Sequence, residues 1–116
     1  MLQNINGYWE IAQIETTDGQ VKEFAMSQNI DFFEINDNGK GIRKKVQPNI
    51  QGTFTTAKTS ENIDVISYKK ELTLQYSTAL DIWTETVQKA TENKLVLINE
   101  AGIIYTYKKY KPLVIN

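Results

Sequence analysis

The chain contains no cysteine and no histidine. Without cysteine there is no disulfide framework and no thiolate chemistry; without histidine the commonest general base and the commonest zinc ligand are gone. Most hydrolase and metalloenzyme readings weaken accordingly, and nothing calls for a cofactor or a metal. No apolar run reaches the length of a membrane-spanning helix, and Met1 to Asn6 is too short and too polar for a signal peptide, so the chain as it stands is expected to be soluble. A surplus of either charge is also missing: 13 Lys plus Arg face 14 Asp plus Glu, a formal net charge of −1. No whole-protein field then draws in nucleic acid or an anionic membrane, and partners must be found by shape.

What is present is β-structure. The 116 residues suffice for one domain, 1–116, with one core. Tyr8 to Thr17 alternates without a helical period, and Asp18-Gly19 turns the chain into Val21 to Phe24. Ala25 to Asn29 reads as a short lid. Ile30 to Ile35 is a second strand, closed by the hairpin signal Asn36-Asp37-Asn38-Gly39, and Ile42 to Val46 returns. Pro48 ends that run; Ile50 to Thr56 resumes with Gly52 at a bend, Lys58 to Asn62 reads as a loop, and Ile63 to Tyr68 as a strand. Leu72, Leu74 and Tyr76 alternate with polar residues. Between Asp81 and Ala90 the β-branched, alternating Ile82-Trp83-Thr84-Glu85-Thr86-Val87 favours strand over helix. Glu92-Asn93 and Ala101-Gly102 turn the chain before and after Lys94 to Asn99, Ile103 to Tyr110 is the last strand, and Pro112 starts a tail. About eight to ten closely spaced strands joined by short turns predict an all-β, antiparallel up-and-down barrel rather than a Greek-key sandwich.

Several stretches carry a family likeness: Gly7-Tyr8-Trp9-Glu10, the run Gly41 to Pro48, Gly52-Thr53-Phe54, Tyr76-Ser77-Thr78 with Trp83-Thr84-Glu85, and Tyr105-Thr106-Tyr107-Lys108-Lys109. In this order they resemble the small bacterial lipocalin-like (calycin) domains. The resemblance implies that Trp9 plugs the closed end beside Gly7, under a basic side chain of the last strand, Lys108 or Lys109 in place of the usual arginine, or else that Tyr105 or Tyr107 closes this end, since an ammonium does not stack flat on indole. It also implies a small hydrophobic ligand and, if a leader has been removed, a periplasmic or envelope-anchored (lipoprotein) location.

A barrel of this size is either filled by its own side chains or holds one small ligand. Candidate lining residues are Phe32, Ile35, Phe54, Val65, Leu74, Tyr76, Ile82, Leu97 and Tyr105, with Trp83 beside them. Glu34 shares a face with Ile30 and Phe32. A three-residue loop is expected to set it opposite Lys44 and a two-residue loop opposite Arg43, forming either a charged clamp for a ligand head group or an outward ion pair. The carboxylates Asp31, Glu34, Asp64, Asp81 and Glu85 are scattered singly on separate strands, with no nucleophile–base constellation, so the expectation is a protein that is not an enzyme. The function expected is binding of a small apolar or amphipathic ligand in the barrel. The alternative is a filled barrel serving as a protein-interaction or cell-envelope structural module.

Overall fold

A computed structural model of the chain describes residues 2–25, 29–48, 54–68 and 71–111, with backbone alone at 2, 54–59 and 68. One short helix, α1 (Leu2–Ile5), precedes strands β1 (Gly7–Glu15), β2 (Val21–Glu23), β3 (Ile30–Ile35), β4 (Lys40–Pro48), β5 (Phe54–Tyr68), β6 (Glu71–Ser77), β7 (Ile82–Ala90), β8 (Lys94–Asn99) and β9 (Ile104–Lys109). Each strand from β3 onward pairs antiparallel with the next, and β9 returns to pair with β1 from Glu15↔Ile104 to Trp9↔Lys109. The sheet closes on itself and leaves no long edge exposed, as the alternation and short turns predict.

Along its other edge β1 meets β3 at residues 7–10 and β2 at residues 13–15. Together β2 and β3 therefore act as one interrupted stave of an eight-stranded barrel. The expected lid at Ala25 to Asn29 falls on this interruption, and its middle, like the Gly52 bend and the Pro112 tail, lies outside the described residues.

Turn chemistry sets the registers. In the β3–β4 hairpin Asn36 donates its N–H to the Lys40 carbonyl at 2.8 Å and Gly39 donates to the Asn36 carbonyl at 3.0 Å, with Gly39 at φ +77°. This is a three-residue loop whose last position needs the left-handed conformation that glycine adopts without a Cβ penalty. Closure at Asn36 and Lys40 sets Glu34 opposite Ile42, not Arg43 or Lys44. The β8–β9 turn repeats the pattern, Asn99 to Ile103 at 3.0 Å.

One segment departs from expectation. Lys58 to Asn62, read as a loop, lies inside the 15-residue β5. Its polar composition argues against a strand in isolation, but ladder pairing with β4 on both sides of a bulge at Lys44/Val46 overrides that propensity.

The closed end is built around Trp9, fully buried, whose indole Nε1 donates to the Ile5 carbonyl at 2.7 Å. Helix α1 is thus the floor of the barrel, a role for the first residues that composition did not suggest. Around Trp9 the buried side chains of Ile5, Phe33, Ile35, Ile63, Leu74, Val87, Leu95 and Leu97 form the core cluster. Among the described residues this end of the barrel holds the hydrophobic core.

Candidate functional site

Above the packed floor the inward side chains change character. Phe33 faces the core. Its neighbours Phe32 and Glu34 therefore point the other way, because side chains alternate along a strand. Phe32 lies on the outer face with its ring 4.7 Å from that of Tyr8, and Glu34 is exposed. Lys44, paired with Phe32, is outward as well. The expected clamp of Glu34 with Lys44 or Arg43 does not form. Ile82 is also turned out, 65% exposed, and the Phe54 side chain lies outside the described residues.

Arg43, paired with Phe33, is an inward position of β4. Its Nε donates to Glu61 at 2.5 Å and its Nη1 to Glu85 at 3.2 Å, and its guanidinium stacks 4.0 Å above the ring of Tyr76. Arg43 and Glu85 side chains are only 13% and 8% exposed. Tyr76 in turn stacks on Trp83 at 5.7 Å, and its buried hydroxyl has no hydrogen-bond partner among the described residues. Arg43, Tyr76 and Trp83 are thus brought together inside the barrel, but as a layer that packs across it.

Burial governs the electrostatics of this layer. Desolvation raises the Glu85 carboxyl above its ordinary range, and the attraction of Arg43 only partly opposes it because the shorter Arg43 contact is with Glu61. Burial alone would lower the Arg43 guanidinium; the bond to Glu61 and the field of Glu85 reverse this and hold it charged. The Tyr76 and Tyr107 phenols are pushed well up, by burial first and then by Glu85 for Tyr76 and Asp31 for Tyr107.

Next to this layer is a cavity of about 290 Å³. It lies against the inner side of β1 and β9, where β2 stops and β3 starts. Ile11, Ile14, Tyr105 and Tyr107 form its inner wall; Phe24, Asn29, Asp31 and Lys45 flank the interruption. Lys45 Nζ reaches Asp31 at 3.2 Å, with the lysine side chain 68% exposed and the aspartate 8%. Of the expected ligand-binding residues whose side chains are described, only Tyr105 lines this cavity, its hydroxyl accepting from Asn99 Nδ2 at 3.4 Å.

Asp31, Lys45, Glu61 and Tyr107 were missed as site residues. In β3 the two phases, Ile30/Phe32/Glu34 and Asp31/Phe33/Ile35, each carry one acid, one phenylalanine and one isoleucine. Alternation cannot choose between them. Glu61 lay in the stretch read as a loop. Asp31 and Glu85, which look scattered in the sequence, face one interior. Among the described residues no group of three or more acidic side chains is placed to hold a metal, and no helix is long and apolar enough to cross a membrane.

At the closed end the basic partner of Trp9 is Lys109, not Lys108. Lys109 Nζ sits 4.7 Å over the indole and donates to the Asn6 carbonyl at 3.1 Å, whereas Lys108 is exposed and donates to the Ala25 carbonyl at 3.4 Å. Gly7, at φ +123°, lies so near the Lys109 ammonium that a Cβ would collide with it.

Plugged at one end and cupped beside its first and last strands, this barrel has a lipocalin-like fold. Among solved structures it superposes on a lipocalin-like protein from Bacteroides uniformis with a TM-score of 0.57 at 14% identity, over 92% of this chain and 99% of that one. An uncharacterized protein from Bacteroides eggerthii matches with a TM-score of 0.56 at 16% identity, over 91% of this chain and 99% of that one. Identity this low reports a shared fold. No family model matches the chain, and no curated protein matches its sequence.

Proposed function

We propose that the protein is a non-catalytic carrier or receptor for a compact amphipathic molecule bound in the cavity between β1, β9 and the β2–β3 interruption. The observation that carries this reading is the cavity itself: about 290 Å³ lined by both apolar and charged side chains, beside a core cluster built around Trp9. That volume is at the small end of ligand pockets and accommodates roughly ten waters, or an organic molecule of on the order of ten to fifteen non-hydrogen atoms. Ile11, Ile14, Phe24 and the two tyrosines suit an apolar body, and Asp31 with Lys45 suits one polar group.

Native mass spectrometry of protein purified from its host tests this. The unaltered chain is expected to carry a co-purifying small molecule, and Ile14→Trp, which fills the cavity, is expected to lack it. A ligand-free unaltered chain that shows no thermal shift with amphipathic compounds, together with an Ile14→Trp variant more stable than the parent, would overturn the reading. The second reading, an interaction module, is favoured by the apolar side chains of Leu80 and Ile82, 96% and 65% exposed next to each other on the rim. Under that reading Leu80→Ser with Ile82→Ser abolishes partner capture without affecting ligand binding.

A further inference from the structure

We infer that the polar end of the ligand is a cation, an ammonium group on a compact apolar or aromatic body, received by the carboxylate of Asp31. The inference rests on the cavity reading above and adds the chemical class.

The charges around the cavity and the layer beside it are unequal. Among the described side chains three inward carboxylates, Asp31, Glu61 and Glu85, face two cations, Arg43 and Lys45. Lys109 lies beside Trp9 at the closed end and is engaged with the Asn6 carbonyl; Lys22 is exposed and rests on the Phe24 ring at 5.2 Å. Arg43 is committed to two carboxylates, so Asp31 has Lys45 as its counter-ion.

That counter-ion is replaceable. Its side chain is 68% exposed while Asp31 is 8% exposed, so the lysine reaches in from solvent toward an acid that stays inside. A ligand ammonium can take its place at Asp31 while Lys45 swings back into water, so that Asp31 keeps one cationic partner throughout. An anionic ligand pairs only with the exposed lysine and must lie against Asp31, at a cost in repulsion and desolvation. Tyr105, Tyr107 and Phe24 add ring surfaces for a cation or for an aromatic body.

The approach carries the same sign. The described turns at this end of the barrel, residues 16–20, 78–81 and 100–103, contain Asp18, Asp81 and Glu100 and no lysine or arginine. Such a rim speeds the arrival of cations at low ionic strength and slows anions.

Three probes with matched bodies test the assignment on the full chain by calorimetry: 2-phenylethylamine, 2-phenylethanol and 3-phenylpropanoate. The amine is expected to bind at least about tenfold more tightly than the alcohol, the increment of one charge-assisted hydrogen bond, and the carboxylate more weakly than either. Asp31→Asn removes the amine's advantage and leaves alcohol binding in place. Lys45→Gln, which removes the competitor, tightens amine binding, and it supplies the answer should Asp31→Asn not fold. Carboxylate binding equal to or tighter than amine binding, an amine preference that survives Asp31→Asn, or weaker amine binding in Lys45→Gln overturns the inference while the cavity reading stands. Absence of binding by all three probes to both the parent and Lys45→Gln overturns the cavity reading and the inference with it.

Discussion

Lys109 stands over Trp9 with its ammonium 4.7 Å from the indole, and the same ammonium ties the Asn6 carbonyl at 3.1 Å. One side chain of the last strand thus clamps the first strand's plug and the chain entering it. An ammonium cannot lie flat on indole as a guanidinium does, and here its second bond, to the backbone, fixes its place.

Trp9→Ala is expected to cost about 3–5 kcal/mol, because it removes a fully buried aromatic and orphans the Ile5 carbonyl. Lys109→Met keeps the packing but loses the cation contact and the Asn6 bond, and is expected to cost roughly 1–2 kcal/mol. Urea unfolding curves check both. A loss well under 1 kcal/mol for Trp9→Ala would show that closure does not depend on the plug.

Arg43→Met leaves Glu61 and Glu85 inside the barrel without their cation. Its expected cost at neutral pH is about 3–5 kcal/mol, the penalty of breaking a buried pair. The triple variant Arg43→Met, Glu61→Gln, Glu85→Gln is expected to recover most of that loss, since no uncompensated charge remains. Equal instability of the single and triple variants would show that packing on Tyr76, not charge, is what Arg43 supplies.

Glu85 makes stability depend on pH with a definite sign. Its carboxyl is raised above the ordinary 4.5, by desolvation first, so the folded chain binds its proton more tightly than the unfolded chain does. The native state therefore holds more protons at pH values between the two, and Glu85's contribution to stability falls as pH rises through that window, then levels off. The stability difference between the parent and Glu85→Gln, followed by denaturant midpoints from mildly acidic to neutral pH, is expected to shift against the parent as pH rises. A difference that grows in the parent's favour contradicts the burial argument.

Two glycines separate backbone strain from collision. Gly19 has open space where a Cβ would go and a φ of +86°, so Gly19→Ala is expected to cost only the left-handed strain, about 1–2 kcal/mol. At Gly41 an added Cβ would run into the Glu34 carbonyl oxygen and the Ile35 Cα, both backbone atoms that cannot rotate away. Gly41→Ala is expected to be the more damaging of the two by thermal unfolding, despite its ordinary φ.

Much of the architecture was legible in the sequence because it is written locally. Strand alternation, glycine at the left-handed turn positions and the Gly-x-Trp start depend on neighbours a few residues apart. The helix-like content of Asp81 to Ala90 yielded to alternation for the same reason. The Lys58 to Asn62 segment was misread because its strand character comes from β4 alongside it and not from its own residues.

By itself, then, the sequence determined a single antiparallel barrel, its closing pair of strands and its tryptophan plug. The tertiary structure alone decided which phase of β3 faces inward, and with it that Asp31 rather than Glu34 enters the barrel. The two phases have the same composition, so the choice is made by closure of the Asn36/Lys40 turn and by Phe33 reaching the core. Likewise only folding brings Arg43, Glu61 and Glu85 within bonding reach across β4, β5 and β7 and positions Lys45 against Asp31. Distances between residues far apart in the chain are set by shear and register around the whole barrel, which no local pattern encodes.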